Sequence, residues 1–308
     1  MAITAPARLG EALLPDGRLL GWAEWGPSDG TPVLLSPGAA TSRRLGFGAD
    51  CLAALGIRLV SMDRPGLGAS SPHPPRGFPE FAADVRHLAE ALGLARPAMV
   101  ASSQGAPFAL AAASAGAVCA VAVVSGADEV ASPTHLQSLP DDLQRLVRLV
   151  LDDPIAAELQ FAGFTPEAML EMVLSGSPEC DLAVYTEPRF RDAYCLALRE
   201  GFAQGTDGYA RDTVLAMGRW GIDLGSIAVP VDLWYGAHDR SHSPDHGASL
   251  ARRIPGARRT VVPDAGGALL WTHAELILRA LRERVEVRAE RVPAARRAGA
   301  PATPALPR

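Results

Sequence analysis

The chain has 308 residues, 48% hydrophobic and 20% charged, which suits one large α/β domain with an insertion or two small domains. Its net charge of −5 excludes the basic footprint that nucleic-acid binding requires. No stretch reaches the roughly 18 apolar residues of a membrane span and no charged segment leads into a long apolar run at the N-terminus, so the expected setting is the cytoplasm, without membrane or nucleic-acid partners. Cys51, Cys119, Cys180 and Cys195 have no metal-ligand spacing, and Cys51, Cys119 and Cys195 lie in apolar segments, as reduced core residues do. Neither a metal nor a cofactor is expected.

The elements follow in chain order. Glu11–Leu14 and Leu19–Trp25 form a hairpin across Pro15-Asp16-Gly17-Arg18, with Asp16-Gly17 as the turn. Pro32–Leu35 is a buried strand running into Ser36-Pro37-Gly38-Ala39, and a helix follows to about Leu55. Arg58–Met62 is the next strand and ends in Asp63-Arg64-Pro65-Gly66-Leu67-Gly68. Asp63 there reads as structural, an Asp-Arg-Pro turn holding its own loop. A helix over about Phe78–Leu92 keeps Phe81, Val85, Leu88 and Leu92 on one face. An apolar strand, Pro97–Val100, and a helix of small residues, Gln104–Ala115, come next, then a strand within Ala117–Val124.

From Ala127 to about Trp220 the β-branched runs stop. Leu143, Leu146, Val147 and Val150 mark one helix, Met169, Met172 and Val173 another, and Tyr194, Leu196 and Leu198 a third, punctuated by prolines. This predicts a helical insertion over 127–220 within a core formed by 9–126 and 221–288. The sheet resumes at Val229–Tyr235, before Gly236-Ala237-His238-Asp239. A helix over Pro244–Ile254, a strand over Arg259–Val262 and a helix from about Thr272 to Val287 follow. The Ala/Pro/Arg-rich tail, 289–308, has too little apolar content to pack and reads as disordered. Strands alternating with helices imply βαβ units and a mostly parallel sheet.

Between Pro97–Val100 and Gln104–Ala115 the chain must turn sharply on Ser103. Ala101 and Gly105 stand at the two glycine positions of G-x-S-x-G, the strand–turn–helix bend that thrusts a serine hydroxyl above a sheet. Small residues are needed where that backbone approaches its neighbours. Ser103 is therefore the candidate nucleophile, and it requires an adjacent base. Ser102 points the other way in this reading.

In order along the chain, the Pro-Gly loop, Asp63-Arg64-Pro65-Gly66-Leu67-Gly68, the Ser103 bend, Trp234-Tyr235-Gly236-Ala237-His238-Asp239 and Ile254-Pro255-Gly256-Ala257 resemble the α/β-hydrolase family with a helical cap, over about Leu13–Leu281. The resemblance implies a twisted, mostly parallel sheet flanked by helices, with the site at the carboxyl ends of the strands beneath the cap. It implies Ser103 as nucleophile and backbone N–H groups of Gln104 and Ala39, with Gly38 as the alternative to Ala39, as oxyanion donors. It places the acid at Asp239, or else at Asp128 or Glu129 after the strand ending at Val124.

The chain departs from the family at the base. The family's histidine belongs in the loop after the last strand, and here that loop is Asp264-Ala265-Gly266-Gly267-Ala268, with Gly267 at the expected position. A glycine cannot accept a proton. The candidates that remain are His273 at the start of the final helix, or His238, His242 or His246 beside Asp239. The expected function is a serine hydrolase acting on an ester or related acyl bond of a small apolar molecule. The alternative keeps the fold and lacks hydrolysis, with ligand binding, cyclisation or elimination in its place. Aromatic and methionine residues of the insertion, among them Phe161, Met169, Met172, Tyr185 and Tyr194, are expected either in the insertion's core or on the pocket wall.

Overall fold

The computed structural model describes residues 3–291. The first strands, β1 (Arg8–Leu13) and β2 (Leu19–Trp25), pair antiparallel with Leu13 opposite Leu19. Then come β3 (Thr31–Ser36), a short α1 (Leu52–Leu55), β4 (Ile57–Met62), α2 (Phe78–Ala91), β5 (Ala98–Ser103), α3 (Gly105–Ser114) and β6 (Val121–Gly126). Helices α4 (Pro133–Leu136), α5 (Asp141–Asp152), α6 (Pro154–Phe161), α7 (Pro166–Gly176), α8 (Glu179–Tyr185), α9 (Pro188–Gly201) and α10 (Asp207–Met217) follow without a strand between them. The chain returns through β7 (Val231–Gly236), α11 (Ala248–Arg253), β8 (Arg258–Val262), α12 (Leu269–Thr272) and α13 (Ala274–Arg291).

The eight strands lie in the order β1-β2-β4-β3-β5-β6-β7-β8. The two pairings made by β2 are antiparallel and the other five are parallel. Every residue of β6 and β7 is buried, because helices cover both faces of the sheet. Period-two alternation divides the strand side chains between two cores. Leu34, Val60, Met99, Val123 and Leu233 meet Phe81, Val85 and Phe108 of α2 and α3 on one face. Leu35, Leu59, Val100, Val124 and Trp234 meet Leu269, Ile277 and Leu278 of α12 and α13 on the other.

The prolines that punctuate the insertion start its helices. Pro154, Pro166 and Pro188 are the first residues of α6, α7 and α9, where a missing N–H costs nothing. Asp153, Thr165 and Glu187 just before them accept an N–H from the first turn. Helices α5 to α10 share a core in which Val150, Phe161, Met169, Phe190 and Tyr209 pack with Ala40, Leu45, Leu67 and Ala268. Those last four belong to loops that follow β3, β4 and β8. The insertion therefore sits over the carboxyl ends of the parallel strands.

Several expected boundaries move. The helix leading to Leu55 shrinks to α1 because Gly46 and Gly48 interrupt it; Gly46 lies flat against the Trp25 ring, and Gly48 has φ +67°. The helix expected from Pro244 starts at Ala248, after a hydrogen-bonded loop described below. The last helix is broken at His273 into α12 and α13, and α13 continues to Arg291, into the segment read as a tail. The rest of that tail lies outside the described residues. Cys51 is buried as expected, whereas Cys119 and Cys195 are only half-buried, and no disulfide joins the four cysteines. Among the described residues, no helix is long and apolar enough to cross a membrane.

Candidate active site

At the end of β5 the pairing with β6 shifts register between Ser102 and Ser103, and Ser103 takes φ +50°. A non-glycine residue in this left-handed region is strained by on the order of 1–3 kcal/mol and persists only where its surroundings impose it. They do so here. The Ser103 carbonyl accepts from Ala127 N at 2.9 Å, and α3 begins immediately. A Cβ on Gly105 would lie 2.2 Å from Ser36 O and 2.7 Å from Pro37 O, so only glycine fits. Strand end, loop and helix thus converge to hold the Ser103 hydroxyl in a cavity of about 350 Å³. Its wall is mostly apolar, with Leu35, Leu45, Met169, Met172 and Leu270 among its residues, and Ser102 also borders it.

Gly38 and Ala39 form part of the same wall, and a Cβ on Gly38 would touch Ser103 Cβ at 3.4 Å. Fully buried Arg64 sits behind them. Its Nη1 donates to Pro37 O at 2.6 Å and its Nη2 to Gly38 O at 3.0 Å. In a trans peptide the C=O and the following N–H point in opposite directions. Arg64 therefore turns the Gly38 and Ala39 N–H groups away from itself. The same guanidinium reaches Gln104 Oε1 at 3.3 Å and pairs with buried Asp212 of α10 at 2.6 Å. The Gln104 amide also donates to Thr213 Oγ1, so its side chain faces away from the cavity while its backbone forms the bend beside Ser103.

Asp239 lies just past β7, and its two carboxylate oxygens each stand 2.9 Å from His242 Nδ1. Ser241 N adds a third contact at 3.1 Å. Both Asp239 and His242 line the cavity with Ser103. The ring is oriented with Nδ1 on the carboxylate, which leaves Nε2 for the cavity side. Ser103 Oγ makes no hydrogen bond to the ring, although both line the same cavity. Burial opposes ionisation of Asp239, yet His242's charge and hydrogen bond and the Ser241 N–H hold its carboxyl below the ordinary value. Burial likewise opposes charge on His242, but Asp239 and, more weakly, Asp181 raise its pKa above 6.5.

A bracket of hydrogen bonds holds the His242 loop. Asp128 N donates to His242 O, and Ser243 Oγ donates to Asp128 Oδ2 at 2.8 Å. Gly247 N donates to Ser243 Oγ, and Asp245 caps α11 through Ala248 N and Ser249 N. Asp128 thus supports the loop without touching the imidazole, which removes it as the acid. Glu129 is removed as well, since it accepts from Trp220 N and pairs with Arg253.

Gly267 leaves room for the imidazole of His242. A Cβ there would lie 2.9 Å from His242 Cε1 and 3.2 Å from its Nδ1. The ring of His242 occupies the region that a side chain at 267 would fill. His273 does not reach the site, a correction to its expected role: it marks the break between α12 and α13, bonds Thr272 Oγ1 and is not on the cavity wall. His238 is exposed, and His246 uses Nε2 on the Asp239 carbonyl. Asp63 is structural as read: its carboxylate accepts from Arg43 N and Ala69 N, and burial pushes it up to about 6 despite those bonds. Of the insertion's aromatic and methionine residues, Met169, Met172, Tyr185 and Tyr194 reach the cavity, whereas Phe161 packs edge-on against Tyr209. Two features have no simple sequence signal, the Arg64–Asp212 pair and the carboxylate of Asp181, because each joins residues far apart in the chain.

A mostly parallel sheet with a strained serine at the β5–α3 bend, and an Asp–His pair after β7, defines an α/β enzyme scaffold of the hydrolase type. The α/β-hydrolase-fold model matches residues 31–274, and the chain belongs to that family. No curated protein matches it. Solved structures share the fold at low identity. An enol-lactonase from Burkholderia xenovorans LB400 is 21% identical, with TM-score 0.66, over 90% of this chain and 100% of that one. A thermophilic esterase from Thermogutta terrifontis is 21% identical, with TM-score 0.63, over 91% and 99%. An epoxide hydrolase structure from hot-environment metagenomes is 17% identical, with TM-score 0.60, over 90% and 98%.

Proposed function

We propose that the protein is a serine hydrolase acting on an ester or related acyl bond of a small, neutral, largely apolar molecule, with Ser103, His242 and Asp239 as its triad. The reading is carried by the His242 ring, which stands on Asp239 and fills the space at Gly267, in the same cavity as the strained Ser103. Ser103 Oγ attacks the acyl carbon while His242 Nε2 takes its proton; Asp239 holds the ring and supports the imidazolium. The N–H groups of Gln104 and Ala39, with Gly38 as the alternative to Ala39, receive the oxyanion. His242 then returns the proton to the leaving alcohol, and water repeats the sequence on the acyl-enzyme. The helical insertion acts as a cap that excludes bulk water and shapes the acyl site. The elbow holds serine, which sets the chain apart from hydrolases that use an aspartate there.

A fluorophosphonate probe tests this. The expected result is labelling at Ser103, lost in S103A and H242A and kept in H273A. Hydrolysis of short-chain esters should follow the same pattern. Intact H242A that still labels and hydrolyses at the wild-type rate would overturn the assignment of the base. A wild-type protein that neither labels nor hydrolyses would favour a fold kept for ligand binding.

A further inference from the structure

Asp181 is the third residue of α8 in the insertion, yet its side chain ends in the core. It is 3% exposed. Oδ2 accepts from Gly267 N at 2.6 Å and Oδ1 from Ala268 N at 3.0 Å. A Cβ on Gly266 would lie 2.4 Å from Oδ2, so the Gly266-Gly267 pair is shaped around this carboxylate on one side and the His242 ring on the other. The carboxylate and the ring both lie within 3.5 Å of the point where a Cβ on Gly267 would sit. Asp181 also borders the cavity.

We propose that Asp181 is a positioning residue: it clamps the insertion onto the β8–α12 loop and presents a second carboxylate to the imidazole of His242. The proposal rests on His242 being the base. The clamp fixes the loop that backs the ring, and so limits how far the ring can swing on Asp239. Its charge stabilises the imidazolium formed when Ser103 gives up its proton. The charged groups facing His242 are Asp239 from its own loop and Asp181 from α8. Tyr185 and Tyr194 border the same cavity, and burial raises both phenols, so they stay neutral near pH 7.

The test compares D181N, G266A and Q204A in the full chain, with the His242 imidazole signal assigned by its loss in H242A. D181N removes the charge at nearly the same size; its amide oxygen still accepts one of the two backbone N–H groups, while its NH2 meets the other as a donor, so one arm of the clamp goes with the charge. The expected result is a His242 titration midpoint moved to lower pH by NMR, an ascending limb of kcat/KM that moves with it, and kcat lower by about ten- to a hundredfold, as for a misplaced catalytic group. G266A keeps the charge but forces the carboxylate off its amides, and should lower kcat while Ser103 still labels. Gln204 ties the insertion to the core elsewhere, through Gly68 O and Ser70 O. Q204A should lower thermal stability and leave the His242 midpoint where it is. An unchanged midpoint in D181N, or the same shift in Q204A, overturns the proposal. If no variant labels at Ser103 but D181N still shifts the midpoint, the hydrolase reading fails and the placement of Asp181 stands.

Discussion

The proposed base lies in the loop after β7, with its ring against the loop after β8. A side chain at 267 and the ring of His242 compete for the same volume, since a Cβ at 267 would already be 2.9 Å from the ring. Only one histidine fits. G267H alone should therefore displace His242 and lower activity. H242A removes the proposed base, and losing a triad member costs several orders of magnitude, about 10⁴-fold or more. The double variant H242A/G267H puts a ring back in the vacated volume from the other loop, beside the same Asp239. It should recover at least about tenfold over H242A, because a re-seated general base supplies a large share of its usual 10²–10⁴-fold contribution. Steady-state ester hydrolysis reads this directly. A double variant no better than H242A would mean that the loop, and not the volume, decides which histidine works. In sequence, Ser103 was legible because the elbow is local, five residues in a strand–turn–helix frame. Asp239 and His242 were legible only as candidates. Their spacing, Asp239-x-x-His242, is short, but three histidines share that loop, and only the Asp128–Ser243 bracket selects among them.

At the scale of elements, the loop proposed to receive the oxyanion depends on a helix that arrives more than a hundred residues later. Arg64 follows β4, Asp212 lies in α10, and between them they fix the peptides at Pro37 and Gly38. Asp212 also pairs with Arg76, so replacing Arg64 does not leave that carboxylate alone. R64M strips Pro37 O of its guanidinium donor and leaves Gly38 O with the long Thr41 N contact at 3.5 Å, which loosens the peptide that aims the Ala39 N–H. The expected cost is about 10²–10³-fold in kcat, the usual loss of one oxyanion donor. Losing these buried hydrogen bonds should also cost stability, about 1–3 kcal/mol. KM should change less than kcat, because the donor acts on charge that develops in the transition state. Denaturant titration and initial rates check both. Strands and long amphipathic helices such as α2 were legible because their periodicity is local. The segment from about Arg44 to Cys51, expected as helix, is loop because its conformation is set by distant partners. Trp25 lies against Gly46, and Ser42 N bonds Ala197 O of α9.

At the scale of the whole molecule, activity and the stability contributed by the proposed Asp239–His242 pair should run in opposite directions with pH. His242's pKa is raised in the folded state, so the stability it contributes is fully present below its unfolded value near 6.5 and is lost as pH rises through the folded value. Asp239's is lowered, so its contribution is present above its unfolded value of 3.8 and is lost as pH falls through the folded value. Both contributions are complete between about 3.8 and 6.5. Catalysis needs the neutral ring instead, so kcat/KM should rise along a limb centred above 6.5. The insertion and the core thus hold a site that is most strongly tied together in the protonated state and works in the deprotonated one. Urea denaturation of the wild type and H242A at pH 5.5 and pH 8.5 separates the two effects. The stability difference between them should be larger at pH 5.5, while wild-type turnover should be larger at pH 8.5. A difference that grew with pH would mean that the ring is held neutral in the folded protein, and that the two carboxylates around it do not set its charge.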